Sequence, residues 1–305
     1  MTTPLQYRYD FLIFFDVKDG NPNGDPDAGN LPRVDAETGE GLITDVCIKR
    51  KIRNFIQMLK NGKDGYDIFV RSKELSGIET FLNGEIKKAF SEIGIDLQSE
   101  KDAEGKKRST KGKAQGTEIE KCRKYLCEKF YDIRTFGAVM STGPNAGQVR
   151  GPVQITFARS IDPIVAQEHS LTVSAARDDD KPFDGQVGIQ GRKNTVPYGL
   201  YIAHGFVSPF LAAQTGFSEQ DLSLLWEAIV GMFDQDHSAA RGMMATQKLI
   251  IFKHNSALGN APSHRLFELV KVEKKAGVEV PRKFADYNLA INREAIPNGV
   301  EVIEM

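Results

Sequence analysis

The most constraining feature of the sequence is an apolar run near its beginning, YRYDFLIFFDV at residues 7–17. Aromatic and β-branched residues dominate this run and turn-forming residues follow it, a pattern that predicts a buried β-strand. Farther along, Ile48, Ile52 and Ile56 recur at helical spacing behind Thr44, a residue type that commonly caps helices. The chain therefore begins with a strand, a long loop and an amphipathic helix.

The remaining hydrophobic pattern predicts a mixed fold. We predict helices at about 78–90 and 119–130, and a further helix that begins at a capping pair, Ser218 and Asp221. Strands are predicted at 148–161, 197–207, 245–254 and 264–272. Residues 169–196 indicate an exposed hairpin. With segments 63–145 and 163–195 counted as insertions, the order is β-α-β-β-α-β, that of ferredoxin-like and RRM folds. The predicted class is therefore α+β.

Composition indicates a globular protein with its own core. The 305 residues are 40% hydrophobic, enough for one large domain with insertions or for two small ones. The N-terminus has no signal-peptide pattern, and no apolar run reaches membrane-spanning length. The three cysteines are too few for a disulfide framework and fit a reducing compartment. We therefore expect a cytoplasmic protein with no membrane partner.

Charge is unevenly distributed along the chain. The net charge of −1 argues against a general nucleic-acid binder, yet KRKIR at 49–53 places four cations in five positions. Acids dominate residues 1–45, whereas bases dominate 101–134. The segment 99–118 has hardly an apolar side chain, and we expect it to be mobile unless an anion orders it. Such polarity suits a nucleic acid or a neighbouring copy of the chain.

The loop DGNPNGDPDAGN, residues 19–30, resembles the start of a calcium-binding loop. A calcium loop needs a Glu at its twelfth position and a helix before it, but here Asn30 holds that position and a strand precedes the loop. Asp25 and Asp27 remain open to two readings, an acid–base or magnesium pair or ordinary turn formers and caps. The spacing of Cys122 and Cys127 does not fit zinc, and the phosphate-loop and nucleophile motifs are absent from the sequence, so we expect neither metal nor cofactor.

The cationic helix offers two rows of side chains. Lys49 and Arg53 lie one turn apart on one flank, where we expect both at the surface, and Arg50 and Asn54 form a second row. A phosphate backbone would relieve the repulsion within a row, but an ordinary solvated face fits the spacing equally well. Free N–H groups at the start of the helix also favour an anion.

Three blocks of sequence carry a resemblance to a known family. They are NGDPDAGNLPRVDAETGEGLITDVCIKRKIRNF, FGAVMSTGPNAGQVRGPVQITFARSIDPI and YGLYIAHGFVSP. Together they resemble the backbone subunit of type I-C CRISPR Cascade, the Cas7 family of the RAMP superfamily. The resemblance implies an RRM-like palm at 1–62 and 131–305, helical fingers inserted at 63–130 and a β-hairpin thumb at about 163–195.

The resemblance also implies a function. Subunits of this kind polymerise head to tail along one CRISPR RNA, together with other Cascade subunits that include a guide-processing capping subunit and a large subunit. They present the guide for pairing with target DNA in antiviral defence and are not enzymes. The aromatic motif by which ordinary RRMs stack RNA on the sheet is missing here, so we expect the RNA to lie elsewhere.

Specific residues follow from the resemblance together with the charge pattern. RNA-binding candidates are Asn21, Asn23, Arg33, Thr44, Lys49, Arg50, Arg53, Arg134, Gln148 and Arg150. Candidates for the thumb wedge are Phe183, Val187 and Ile189, and candidates for DNA contact are Lys106, Lys107, Lys111 and Lys113. The alternative function is a metal-dependent endoribonuclease of the type III backbone kind, using Asp25 or Asp27. A DNA-binding transcription factor is a third class, which would bind duplex DNA without a guide.

Overall fold

The computed structural model describes residues 3–71, 81–173 and 189–305, without the side chains of Val173, Ile189 and Gln190. Its helices are α1 Asp45–Leu59, α2 Leu82–Glu92, α3 Thr117–Lys129, α4 Tyr131–Phe136, α5 Pro209–Thr215, α6 Glu219–Gly231 and α7 Ser263–Glu268. Its strands are β1 Tyr9–Gly20, β2 Gly24–Asp25, β3 Leu31–Pro32, β4 Glu40–Ile43, β5 Gly137–Met140, β6 Gly147–Arg150, β7 Val153–Ile155, β8 Ala158–Pro163, β9 Gln167–Val173, β10 Ile189–Val207, β11 Met243–His254, β12 Val270–Lys274, β13 Tyr287–Ile291 and β14 Val300–Glu304.

A large antiparallel sheet organises the molecule. Its strands follow the order β14-β11-β1-β10-β8-β4, and β7 and β9 also pair with β10. The predicted hairpin and the predicted strand at 197–207 share a single long strand, because β10 pairs with β9 at one end and with β1 and β7 at the other. The mixed α/β class is therefore confirmed.

One face of the sheet packs against α1 and α6. Phe11 of β1 meets Trp226 of α6 edge-on, with ring centroids 5.0 Å apart, and Ile52 of α1 is fully buried in the same core. Gly205 lies opposite Phe11, and a Cβ there would come 2.0 Å from the phenyl ring. This close approach is the reason that the strand needs glycine at that position.

The other face of the sheet is covered by the C-terminal part of the chain. Leu12, Phe14 and Phe252 are fully buried under Leu266 of α7 and the β12–β13 hairpin. Because β1 is buried on both faces, its sequence is a continuous apolar run rather than an alternating one. This face of the sheet is therefore occupied by protein around β1.

A second core holds α2 and α3 together. Phe90, Cys122, Leu126 and Phe130 are buried in it, and it extends beyond residue 130 to Val149 of the β5–β6 hairpin. Burial of Cys122 confirms the interpretation of this cysteine as a packing residue.

The segment 99–118 has a defined fold rather than an extended, unsupported course. Arg108 is buried and pairs with Glu118, with Nη1 2.6 Å from Oε2, and it also donates to the Ser99 and Lys113 carbonyls. Burial raises the pKa of Glu118, but hydrogen bonds from Arg108 and from backbone N–H groups outweigh it and hold that pKa below its usual value. The anion that orders the segment is the carboxylate of Glu118, a residue of the same chain.

The predicted N-terminal caps of helices α1 and α6 are confirmed. Thr44 accepts from the Cys47 N–H at 3.3 Å at the start of α1, and Ser218 and Asp221 form a reciprocal capping box at the start of α6.

Two predicted strands are wrong in part. The predicted strand at 148–161 is divided into three strands, β6, β7 and β8. The first break arises because β6 pairs with β5 instead of joining the main sheet. The second break lies between β7 and β8, where Phe157 is 52% exposed. Residues 264–268 of the predicted last strand belong to helix α7, and only β12 is extended. In the part of the chain that the structure describes, no helix is long and apolar enough to cross a membrane.

Candidate nucleic-acid interface

The loop after β1 is fastened to the start of α1. The side-chain oxygen of Asn23 accepts hydrogen bonds from the Thr44 N–H at 2.9 Å and from the Thr44 hydroxyl at 3.0 Å. Cys47 adds a weaker contact from its thiol to the Pro22 carbonyl at 3.6 Å. Two predicted residues, Asn23 and Thr44, are thus brought together, and their contacts position the loop.

Asn21 ties the same loop to a second segment, residues 236–242. Its backbone N–H donates to the Ala240 carbonyl at 2.8 Å, and its side-chain amide donates to the Asn30 carbonyl at 2.7 Å. The backbones approach closely here, since a Cβ on Gly20 would lie 1.8 Å from the Arg241 carbonyl oxygen. Loop 19–30 is therefore held from both sides.

Asp25 is engaged within the loop. Its carboxylate accepts from the Asp27 N–H at 3.2 Å, capping the short 3₁₀ helix Pro26–Ala28, and lies 3.2 Å from Arg33 Nη1. Asp27 is exposed. Among the described residues no group of three His, Cys, Asp or Glu side chains could hold a metal ion. Asp25 thus contacts Arg33, a predicted RNA-binding residue. Its hydrogen bond to the Asp27 N–H fits the interpretation of Asp25 as a capping residue.

A cleft of about 270 Å³ lies between loop 19–30, α1 and residues 236–241, and we call it the loop–α1 cleft. Its charged side chains are Arg50, Lys51, Asp236 and Arg241. Lys51 is buried and pairs with Asp236, which also pairs with Arg241. Arg50 is exposed. Among the lining residues that the structure describes, three are cations and one is a carboxylate, a positive balance that suits a phosphate group.

Sequence reasoning missed Lys51, Asp236 and Arg241. Lys51 belongs to the cationic run, but its position in the helical period places it on the inner side of α1, over the Phe233 ring at 5.5 Å. Asp236 and Arg241 lie far along the chain, and no local pattern connects them to α1. The only signal is Gly242, whose left-handed backbone (φ +62°) marks a tight turn beside Arg241.

The predicted row of Lys49 and Arg53 exists but faces protein. Arg53 is 8% exposed, and its Nε lies 2.8 Å from Asp132 Oδ2. Lys49 pairs with Asp45 at 2.8 Å, and both cations lie over the Phe136 ring, at 5.8 Å for Lys49 and 5.2 Å for Arg53. The expectation that Arg53 lies on the surface is wrong, because α4 packs against this flank of α1.

Arg134 is also inside the molecule. Its guanidinium pairs with Asp221 at 2.7 Å and donates to the Gly65 carbonyl at 2.5 Å. Gln148 and Arg150, by contrast, are exposed on β6 and line a second cleft together with α3.

The thumb candidates Phe183 and Val187 lie outside the described residues. Ile189 begins β10 opposite Val173, at the described end of the hairpin. The four lysine candidates of the fingers are exposed around the buried Arg108–Glu118 pair: Lys106, Lys107, Lys111 and Lys113.

Comparison with known proteins gives the family. Residues 7–292 match the family model described as CRISPR-associated protein Cas7. The chain belongs to the Cas7 family. A relative from Haloferax volcanii, described as CRISPR-associated protein Cas7, is 28% identical over 245 residues, which cover 73% of this chain and 64% of that protein. This Cas7-family chain thus spans less than two thirds of the length of that curated relative.

Two solved structures also share similarity with the chain. One is described as a CRISPR RNA-guided surveillance complex in a pre-nicking state, with a TM-score of 0.47, 16% identity and coverage of 80% of this chain and 78% of the other. The second is described as a CRISPR RNA-guided surveillance complex, with a TM-score of 0.44, 14% identity and coverage of 80% and 68%. The family assignment rests on the family match.

Proposed function

We propose that this protein is a non-enzymatic backbone subunit of a type I-C Cascade surveillance complex in the cytoplasm. It polymerises head to tail along a CRISPR RNA and presents the guide for pairing with target DNA. Its partners are the CRISPR RNA, target DNA, further copies of itself and other Cascade subunits. Membership of the Cas7 family supports this proposal.

The loop–α1 cleft is the observation that carries the proposal. It combines exposed Arg50 with Lys51 and Arg241, and Asn21 and Asn23 hold the loop that forms its wall. Such groups suit phosphates and riboses, which carry no base sequence. A subunit that leaves sequence recognition to base pairing needs contacts of this kind.

The arrangement of the main sheet supports an RRM-like palm. Counted along the chain as β1, β7–β8, β10 and β11, the four core strands lie in the spatial order fourth, first, third, second. The helices α1 and α6 occupy the crossover positions of a β-α-β-β-α-β unit on one face. The C-terminal cover on the other face favours RNA binding at the edge of the palm instead of across it.

The thumb and the fingers complete the proposal. The β9–β10 hairpin would act as the thumb, with Phe183, Val187 and Ile189 as wedge candidates. The exposed lysines 106, 107, 111 and 113 would touch target DNA electrostatically, a contact that salt should weaken.

Co-expression with a CRISPR array tests the proposal. The purified protein should carry nucleic acid, visible in its absorbance ratio, and the extracted RNA should have the length of a guide. Co-expression with the other type I-C subunits should yield one complex of fixed composition. Protein free of RNA under both conditions would rule out the proposed function.

Incubation of the RNA-loaded protein with complementary RNA and magnesium tests the ribonuclease alternative. The engagement of Asp25 by Arg33 and by the 3₁₀ helix supports a structural role for this carboxylate. We therefore expect intact RNA. Regularly spaced cuts that disappear in Asp25→Ala or Asp27→Ala would establish the alternative.

A further inference from the structure

A second cleft, which we call the α3–β6 cleft, has a volume of about 520 Å³, within the range of ligand sites. One wall is a single face of α3, because its lining residues recur at intervals of three and four. The other walls are β6 and the C-terminal end of α5. The described lining residues are Glu120, Arg123, Lys124, Cys127, Gln148, Val149, Arg150, Gln214 and Thr215.

The charge of this cleft is unbalanced. Arg123, Lys124 and Arg150 face it with one carboxylate, that of Glu120. Lys124 has a partner in Glu128, but at 4.0 Å and with both side chains largely exposed this pair contributes little. The cleft therefore has cations on two facing walls.

Most arginines in the described residues have a carboxylate partner, but the two arginines of the cleft do not. Carboxylate partners within 4.0 Å are found for Arg8, Arg33, Arg53, Arg71, Arg108, Arg134, Arg159, Arg192, Arg241 and Arg293. Within the described ranges, Arg123 and Arg150 have none. Two arginines without a counter-ion that line one cleft are suited to an external anion.

The β5–β6 hairpin connects one wall of the cleft to the flank of α1. Arg150 pairs in register with Gly137, which directly follows Phe136. Lys49 lies over the Phe136 ring, at 5.8 Å from its centroid. The strand that carries Arg150 thus lies beside the residue over which Lys49 of α1 packs.

We infer that the α3–β6 cleft binds backbone phosphates of the same RNA strand that the loop–α1 cleft holds, an inference that rests on the proposed function. Arg123 and Arg150 donate from facing walls to phosphate oxygens, and the Gln148 and Gln214 amides are placed to bond riboses or phosphates. None of the described lining residues is aromatic, so the contact reads the backbone and not the bases.

A charge-matched pair of double variants tests the inference. Arg123→Gln with Lys124→Gln removes two cations from the cleft, whereas Lys88→Gln with Lys121→Gln removes two exposed cations from α2 and α3 outside it. Binding of a guide-length single-stranded RNA to the purified protein is measured by fluorescence anisotropy over a salt series. Thermal melts of both variants establish that they fold.

The cleft variant should bind RNA about tenfold more weakly than the control variant. Its slope of log affinity against log salt should be shallower by about 1.4, since each single-strand phosphate contact contributes about 0.7. Arg150→Gln should weaken RNA binding in the same direction from the opposite wall. Equal affinities and slopes for the cleft and control variants would overturn the inference.

Failure of the inference is distinguishable from failure of the proposed function. Wild-type protein that binds RNA, and that binds it less well after Arg50→Ala, retains the proposed function even when the cleft and control variants are equal. Wild-type protein with no affinity for RNA contradicts both.

Discussion

Arg53 Nε donates to Asp132 Oδ2 at 2.8 Å, and the two side chains are 10% and 1% exposed. The same carboxylate accepts from the Phe69 and Val70 N–H groups, at 2.8 and 3.0 Å. One buried anion thus joins α1, the chain after it and α4. Arg53 is a residue that holds the fold together, although its place in a cationic run is typical of a nucleic-acid contact.

Arg53→Ala should destabilise the protein more than it weakens RNA binding. Removal of one partner of a buried ion pair costs about 3–5 kcal/mol, because the remaining charge stays buried. Urea unfolding measures the loss, with Arg50→Ala on the exposed side of the same helix as the control. An unfolding free energy within about 0.5 kcal/mol of wild type, the usual range for surface changes, would contradict this role.

Arg50→Ala should weaken RNA binding with little change in stability. Loss of one charge-assisted phosphate contact lowers affinity about tenfold, or about 1.4 kcal/mol, for every RNA sequence alike. Anisotropy titrations with two unrelated RNAs measure this, and Lys60→Ala at the far end of α1 is the control. A loss for one sequence only would indicate base recognition instead.

Asp16→Asn should stabilise the protein at neutral pH. Burial raises the pKa of Asp16 despite hydrogen bonds from Gln247 and Tyr198, so the folded protein holds a proton more firmly than the unfolded chain. Wild-type stability therefore falls as pH rises from the unfolded pKa through the folded one. The gain from Asn, measured by denaturant unfolding, should be largest at pH 7 and shrink toward acid pH. A gain that is independent of pH would exclude this cause.

Arg108→Ala should expose the segment 99–118 to proteases. Without Arg108, Glu118 is a buried carboxylate that has lost its cationic partner, and four backbone carbonyls of the surrounding turns lose the donor that Arg108 provides. Trypsin should cut faster after Lys107 and Lys111 than in wild type. Glu104→Ala, which removes an exposed partner of Lys106 and leaves the Arg108–Glu118 pair in place, should leave the cleavage rate unchanged. Equal rates for the two variants would mean that the buried pair does not order the segment.

Asp25→Ala should cost about 1 kcal/mol of unfolding free energy, the usual effect of losing a cap. It removes the acceptor for the Asp27 N–H and leaves Arg33 without its carboxylate. Asp27→Ala in the same loop is the matched control, since that exposed carboxylate has no ion pair in the described part of the chain. The difference between the two variants in urea unfolding measures the cap, and no difference would argue against it.

The elements that could be predicted from sequence are those with local signals. β1 is marked by its apolar run, and α1 and α6 are marked by caps and helical spacing. The six-residue α4 is too short for a period to appear. Residues 264–268 are helical because Leu266 packs under the sheet, a tertiary contact that the apolar pattern of a strand does not reveal.

The site was predictable only in outline. Loop 19–30 and α1 come together as expected, through Asn23 and Thr44. Which cation of the run faces outward depends on packing partners that are distant in sequence. Arg53 is buried in an ion pair with Asp132, and Lys51 is buried in an ion pair with Asp236. Arg241 joins the cleft through the same Asp236. Contacts of such separation leave no local pattern.

Ultraviolet crosslinking of the RNA-loaded protein, followed by mass spectrometry of the crosslinked peptides, tests the central claim most directly. The account predicts crosslinks in residues 19–33, 44–54 and 236–242, which surround the loop–α1 cleft. Crosslinks confined to the β12–β13 hairpin and the sheet face beneath it would contradict the account.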